Sequence, residues 1–274
     1  MELKAYAKIN LGLKILSKRE DGFHNIETIF HRINLFDEIE IIETDKNIEV
    51  EIISGNLIND KNNLCFKAAE YLNNFCGTQK GVLIKLKKNI PIGAGLGGGS
   101  SDAATVLLAL NNLWNLNLSI DELNKIAIKI GSDVPYFLNY NSAFATGRGE
   151  VLNYFKIDLP FWILLVNPGI NISTAEAYQS LSNLKNRKIK SLPKFSIDNL
   201  NEILSNDFED VILNNFSEIN KIKSDLINFG AKFALMSGSG SSVFGLFENE
   251  NQVQNAKNNF NCFTSLTEPN FNLK

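Results

Sequence analysis

The stretch from Pro91 to Ala104 reads PIGAGLGGGSSDAA and holds five glycines between Gly93 and Gly99. Each glycine gives up more backbone freedom on folding than any other residue, so a run this dense cannot lie inside a regular element. The flanks do read as regular elements. In KGVLIKLKKNIP, before the run, Val82, Ile84 and Leu86 alternate onto one face of a strand, and Pro91 stops it. After the run, Ala103, Val106, Leu107, Leu110 and Trp114 recur at helical spacing. The order strand, glycine loop, helix gives the glycines a use. They let the backbone turn tightly and approach a ligand, while the first N–H groups of the helix, without internal partners, face the loop. Phosphate is the commonest occupant of such an anion site. The loop is not a Walker A loop, because Ser100 and Ser101 follow Gly99 and no lysine stands there. GAGLGG matches G-x-G-x-x-G, but about 20 residues on, where an acidic strand end is needed, Asp121 opens a helix. From these residues alone, phosphate or nucleotide binding, a structural turn and another ligand all stay open.

The rest of the chain supplies enough material for one large or two moderate domains, at 274 residues. DEIEIIE (37–43) and NIEVEII (47–53) alternate as half-buried strands do, and KAYAKINLGLKI does so more loosely. Leu64, Ala68, Leu72 and Phe75 are spaced to share one helical face, with an asparagine ahead of them to cap it. Ser119 and Glu122 make a capping box for a helix that ends near Gly131. FWILLV (161–166) reads as a buried strand, STAEAYQSL as a helix, and the lysine-rich stretch 185–194 as a solvated loop. Ile219, Ile222, Leu226 and Phe229 predict a helix closed by Gly230. AKFALMSGSGSSVFGLF reads as strand, glycine-serine turn, strand, followed by a last helix around Val253, Ala256 and Phe260.

A net charge of −3 gives no basic footprint for nucleic acid or an anionic membrane. Lys4, Lys8 and Lys14 interrupt any signal-peptide core, and the longest apolar run is too short to span a bilayer. Cys65, Cys76 and Cys262 lack metal-ligand spacing and are odd in number. The expected location is a reducing cytoplasm.

The glycine run resembles the ATP motif of the superfamily that includes galactokinase, homoserine kinase, mevalonate kinase and phosphomevalonate kinase. AKINLGLKI (7–15), DGFHNIETIF (21–30), GSDVPYF (131–137), STAEAY (173–178) and MSGSGSSVFG (236–245) are, in this order, similar to the 4-diphosphocytidyl-2-C-methyl-D-erythritol kinase family. The resemblance covers essentially the whole chain. It implies an α+β, two-domain small-molecule kinase fold. The amino-terminal kinase domain, 1–155, would resemble ribosomal protein S5 domain 2 and contain a left-handed crossover, against the usual rule for parallel strands. The carboxy-terminal domain, 156–274, would be α/β-plait-like. The implied reaction is transfer of the ATP γ-phosphoryl group to the 2-hydroxyl of the cytidylyl alcohol.

The resemblance also implies roles. Asp133 matches the family's catalytic aspartate, a carboxylate that orients the hydroxyl and takes its proton. Lys8 matches the active-site lysine that offsets charge on the transferring group; by residue type alone it could equally be a lysine snorkelling to solvent. ATP falls to Pro91, Ile92, Gly93, Ala94, Gly95, Leu96, Gly97, Gly98, Gly99, Ser100 and Ser101, arriving with Mg²⁺ held largely by its phosphates and water. No residue, Asp102 included, is singled out as a metal ligand. Asn10, two residues from Lys8 and so on the same strand face, is expected at the substrate. Phe23, where the family commonly has tyrosine, and Tyr178 are expected on the two sides of the cytosine, with His24 at its edge. Phe30 and Thr174 complete the substrate side. The loop 237–242 is expected to turn backbone N–H groups toward substrate or phosphate. A kinase of another small alcohol, or a non-catalytic nucleotide binder, is the alternative. Neither explains Phe23, His24 and Tyr178 together with Lys8 and Asp133.

Overall fold

The computed structural model describes residues 1–54, 61–180 and 204–272. The lysine-rich stretch 185–194 lies outside them. The chain forms two compact units, Met1–Ala7 with Leu35–Ile90 and Gly97–Tyr140, and Lys8–Asn34 with Pro91–Leu96 and Asn141–Lys274. Strands β1 (Glu2–Lys18) and β2 (His24–Thr44) are long enough to give residues to both.

In the first unit the later part of β2 pairs antiparallel with β4 (Gly81–Lys87), from Glu38 opposite Lys87 to Thr44 opposite Gly81. β4 pairs parallel with β3 (Ile48–Ser54). A parallel neighbour needs a crossover, and α1 (Leu64–Cys76) supplies it, capped by Asn63 Oδ1 accepting from Cys65 N–H and closed by Gly77 in the left-handed conformation. Val82, Ile84 and Leu86 are buried as their alternation requires. Phe75 departs from the expected face: it is exposed, and Cys65, Ala68, Ala69 and Leu72 form the buried stripe. α2 (Gly98–Leu113) buries Ala103, Val106, Leu107 and Leu110, and Trp114 at its end. α3 (Ile120–Ile130) begins on the expected capping box, Ser119 and Glu122 bonding reciprocally. A 3₁₀ turn, Pro135–Leu138, follows.

In the second unit the first part of β2 pairs with β5 (Ser142–Thr146), and β5 with β6 (Val151–Phe155). A separate antiparallel sheet has the order β10-β7-β9-β8, from β7 (Trp162–Asn167), β8 (Phe233–Met236), β9 (Val243–Phe247) and β10 (Phe263–Thr267). Around it lie α4 (Thr174–Gln179), α5 (Glu209–Asn215), α6 (Ser217–Asn228) and α7 (Glu250–Asn258). Ile219, Ile222 and Leu226 of α6 join Val166, Met236, Val243 and Val253 in one buried cluster. Phe260 lies beyond the end of α7 and packs edge-on against Phe229, so it serves the core from a turn and not from the helix. Among the described residues no helix is long and apolar enough to cross a membrane.

Candidate active site

The glycine run folds as a loop entering α2. Gly93, Gly95 and Gly97 take φ of 64°, 76° and 67°, the left-handed region where side chains are strained. A Cβ on Gly93 would land on Asn171 Oδ1, and one on Gly95 on the Ser237 carbonyl oxygen. Gly97 is the N-cap of α2, and the helical ladder begins with Ser101 N–H donating to Gly97 O at 2.9 Å. The N–H groups of Gly98, Gly99 and Ser100 therefore have no partner inside the helix, which is the open donor set an anion needs. Ser101 turns inward and donates to Tyr6 O at 2.7 Å. Ser100 stays half-buried, and a Cβ on Gly131 would lie 4.0 Å from its hydroxyl. The helix start thus adjoins the Gly131–Asp133 turn in the same unit. That turn is tied by Val134 N–H donating to Gly131 O at 3.2 Å, and Pro135 opens the 3₁₀ turn behind half-buried Asp133.

Beneath the loop's entry lies a charged cluster that sequence reasoning missed. Asp37 of β2 accepts from the N–H groups of Asn89 and Ile90 at 2.6 and 2.8 Å and pairs with Lys88. Lys88 also bonds Asp102 at 2.7 Å. Asp37 shares the strand face of Ile39 and Ile41 and is, like them, buried. Asp102 Oδ1 is buried without a hydrogen-bond partner. Burial, with Asp37 adding to it and Lys88 opposing, pushes the Asp102 carboxyl up to about 8. Burial alone would lower the Lys88 pKa, but the two carboxylates hold it up. One proton on Asp102 leaves the cluster neutral. The folded state keeps that proton where the unfolded chain, at 3.8, has lost it. Stability from this group is therefore full below about pH 4, falls as pH rises, and is gone above about pH 8. Asp102→Asn is expected to flatten the fall of the urea midpoint across this window relative to the parent; an unchanged slope would refute the assignment.

In the second unit Lys8 is only 4% exposed, so it does not snorkel. Its ammonium donates to Asn10 Oδ1 at 2.7 Å and Gly95 O at 3.1 Å and lies 5.0 Å from the centre of the Phe30 ring. Phe30 is fully buried and serves as the floor under this cation. Asn10 Nδ2 donates to Thr28 Oγ1 at 2.8 Å, and that hydroxyl donates to Gly12 O at 2.6 Å. Since the Thr28 proton is already used, Thr28 can only accept from Asn10, and the Asn10 oxygen must face Lys8. Thr28 had no signal in the sequence beyond lying in the IETIF strand.

The DGFH turn is built locally: Gly22 takes φ of 85°, and Asp21 Oδ1 accepts from Phe23 N–H at 3.1 Å. Phe23 is 50% exposed, with the Arg148 guanidinium 4.7 Å from its ring centre. Tyr178 stacks on His24, with centroids 4.7 Å apart and planes 8° from parallel, and meets Phe208 edge-on. The structure thus joins Tyr178 to His24 and sets Phe23 against Arg148, a residue sequence reasoning did not name. Burial and the Lys18 charge lower the His24 pKa, so the ring is neutral near pH 7. Thr174 Oγ1 lies 3.0 Å from Ser239 Oγ. Across 237–242 the four serines are buried, and Ser242 N–H reaches Ala94 O at 3.4 Å.

The model of the GHMP kinase N-terminal domain matches residues 63–140, which hold the glycine run and the Asp133 turn, and that of the C-terminal domain matches 188–264. The 4-diphosphocytidyl-2-C-methyl-D-erythritol kinase of Pelodictyon phaeoclathratiforme is 45% identical over 92% of this chain and 90% of its own. That of Thermodesulfovibrio yellowstonii is 45% identical over 92% of each. A crystal structure of 4-(cytidine 5'-diphospho)-2C-methyl-D-erythritol kinase superposes with a TM-score of 0.81 at 32% identity, covering 97% of this chain and 98% of that one. The chain belongs to this kinase family. Its fold is the two-domain α+β fold of the GHMP kinases, shared with a homoserine kinase from Cytophaga hutchinsonii at a TM-score of 0.69 and 17% identity. Family membership makes it an ATP-binding kinase.

Proposed function

We infer that the protein transfers the γ-phosphoryl group of ATP to the 2-hydroxyl of 4-diphosphocytidyl-2-C-methyl-D-erythritol. The products are the 2-phosphate and ADP, in the non-mevalonate route to isoprenoid precursors. The observation that carries this reading is the glycine loop whose left-handed residues lead into three N–H groups, at Gly98, Gly99 and Ser100, that have no partner inside the helix, beside the turn that carries Asp133. Pro91 to Ser101 wrap the ATP phosphates. Asp133 orients the hydroxyl and takes its proton as the new P–O bond forms, and Lys8 offsets charge on the transferring oxygens. Lys8 comes to this task already directed, because Asn10 and Gly95 hold two of its three donors. The 237–242 loop offers backbone N–H groups to substrate or phosphate, and Thr174 lies on the substrate side.

Among the described residues no group of three or more His, Cys, Asp or Glu is placed to hold a metal. Mg²⁺ takes few protein ligands and is carried in by adjacent phosphates and water. Ser101 donates to Tyr6 O and Asp102 Oδ2 accepts from Lys88, so of the three the Ser100 hydroxyl would be the one to face the ion. When bound, the ion neutralises phosphate charge; orientation and proton transfer remain with the chain's own residues.

The cytosine is read by Phe23, His24 and Tyr178. At 4.7 Å the His24–Tyr178 stack leaves no room for a base between the rings, so the base stacks on an outer face of the set or parts the pair. We read residues 1–155 as the S5-like kinase domain, 156–274 as the plait-like substrate domain, and the cytoplasm as the site of action.

The test is ADP release with the cytidylyl substrate against methylerythritol phosphate lacking the cytidylyl group. Stacking of one base is worth about 1–3 kcal/mol, so the truncated alcohol should lose roughly 5- to 150-fold in kcat/KM. Equal efficiency on both compounds refutes the nucleobase slot.

A further inference from the structure

Two acceptors of the Lys8 ammonium trace back to one buried hydroxyl. Ser237 Oγ accepts from Asn10 N–H at 3.1 Å and donates to Gly95 O at 3.0 Å. Asn10 Oδ1 and Gly95 O each receive a hydrogen bond from the Lys8 ammonium. Ser237 thus fixes the backbone of one acceptor and the carbonyl of the other. It is itself clamped. Asn206 Nδ2 donates to the carbonyls on either side of it, Met236 O and Gly238 O, each at 2.8 Å. Asn206 Oδ1 accepts from Phe208 N–H at 3.0 Å, so the amide cannot be turned over without losing all three bonds. The clamp is fastened to the strand that bears Lys8: Leu13 N–H donates to Ser205 O at 2.7 Å, and Asp207 N–H donates to Leu13 O at 3.0 Å. Ser237 is wholly buried and Asn206 4% exposed, so no water competes for these bonds.

We propose that Ser237, held in place by Asn206, is a positioning residue that aims the Lys8 ammonium. A turn that merely needed its polar groups satisfied would have no reason to bring two lysine acceptors to one side chain. The proposal rests on the reading that Lys8 acts on the transferring phosphoryl group. With Ser237 gone, Gly95 O and Asn10 lose their common tether, and Lys8 can shift within its pocket while remaining charged and buried. Misplacing a catalytic group by around 1 Å costs up to about a hundredfold in rate.

The experiment is a double-mutant cycle of Ser237→Ala with Lys8→Ala, measuring kcat and KM at saturating ATP, with urea midpoints as a control for folding. In the parent background Ser237→Ala should lower kcat roughly tenfold to a hundredfold and leave KM for the cytidylyl substrate unchanged. In the Lys8→Ala background it should lower kcat by less than about twofold, because nothing is left to aim. Asn206→Asp, which keeps the shape but cannot donate to the two carbonyls, should reproduce the pattern. Should Ser237→Ala not fold, Ser237→Cys, with similar volume and only a weak donor, takes its place in the cycle. An equal fold loss in both backgrounds, or a folded Ser237→Ala with unchanged kcat, overturns the positioning role alone. Full turnover in Lys8→Ala by itself overturns the underlying reading of Lys8, and this proposal with it.

Discussion

Replacing Asp133 with asparagine should lower kcat by roughly 10²- to 10⁴-fold, the range for a lost general base. The substitution keeps the size of the side chain and removes one negative charge and the proton acceptor. It should leave the fold intact, because Asp133 is a half-buried turn residue and Val134, Pro135 and Tyr136 behind it carry the packing. Binding of the cytidylyl substrate, measured by calorimetry, should change little, since base recognition is assigned to Phe23, His24 and Tyr178. Lys8→Ala should also cut kcat heavily, through lost charge stabilisation. It additionally leaves Asn10 Oδ1 without its donor, so its urea midpoint should fall where that of Asp133→Asn does not. Because both residues act on one transition state, the double variant should be far less impaired than the product of the two single losses. Near-parental turnover in Asp133→Asn would remove it from the chemistry. Multiplicative losses would leave both residues important and contradict a joint action.

Gly95→Ala should be the most damaging single methyl in the glycine run. The residue has φ of 76°, and the new Cβ would lie 2.0 Å from the Ser237 carbonyl oxygen. That carbonyl cannot retreat cheaply, because the carbonyls before and after it, Met236 O and Gly238 O, are held by Asn206. Positive φ and a backbone clash together are expected to cost about 3 kcal/mol of stability. The same shift displaces Gly95 O, a Lys8 acceptor, and kcat/KM for ATP should fall by about a hundredfold. Gly99→Ala is the contrast for stability. Gly99 lies inside α2, and its Cβ would meet Leu64 Cδ1 at an ordinary 3.4 Å. Alanine there should hold or raise the urea midpoint, by up to about 1 kcal/mol of helix propensity. Equal midpoints for the two variants would refute the steric account.

Much of this was legible in the chain before any coordinates. The helices over 64–76 and 120–130 announce themselves through Asn63 and the Ser119–Glu122 box, because capping is a local exchange among residues three apart. The glycine run predicted its own loop and an open helix start, since positive φ and unpaired first-turn donors are local properties of backbone. The segment resemblances selected the family. Strands β5, β6 and β10 were not foreseen: SAFAT and VLNYF are short, and they become strands through pairing with β2 and each other. Strand formation of this kind depends on a partner that is distant in sequence.

At the candidate site the division is sharper. Residue type and motif placed Lys8, Asn10, Asp133 and the loop, but could not say that Lys8 is buried, because a lysine's burial depends on acceptors supplied from elsewhere. One such acceptor is the carbonyl of residue 95, and its tether is residue 237, more than two hundred positions from Asn10. The alternation of 37–43 sets Asp37 on the face of Ile39 and Ile41 but could not supply its partners, since only folding brings Lys88 and the Asn89 and Ile90 N–H groups to it. Phe23, His24 and Tyr178 were recognisable as a set, whereas the pairing of Tyr178 with His24 and of Phe23 with Arg148 was decided by the fold. The sequence by itself determined the elements, the loop and the chemical inventory, because these rest on interactions a few residues long. Only the tertiary structure decided which side chains are buried, charged and aimed, because those properties belong to groups that the chain brings together from far apart.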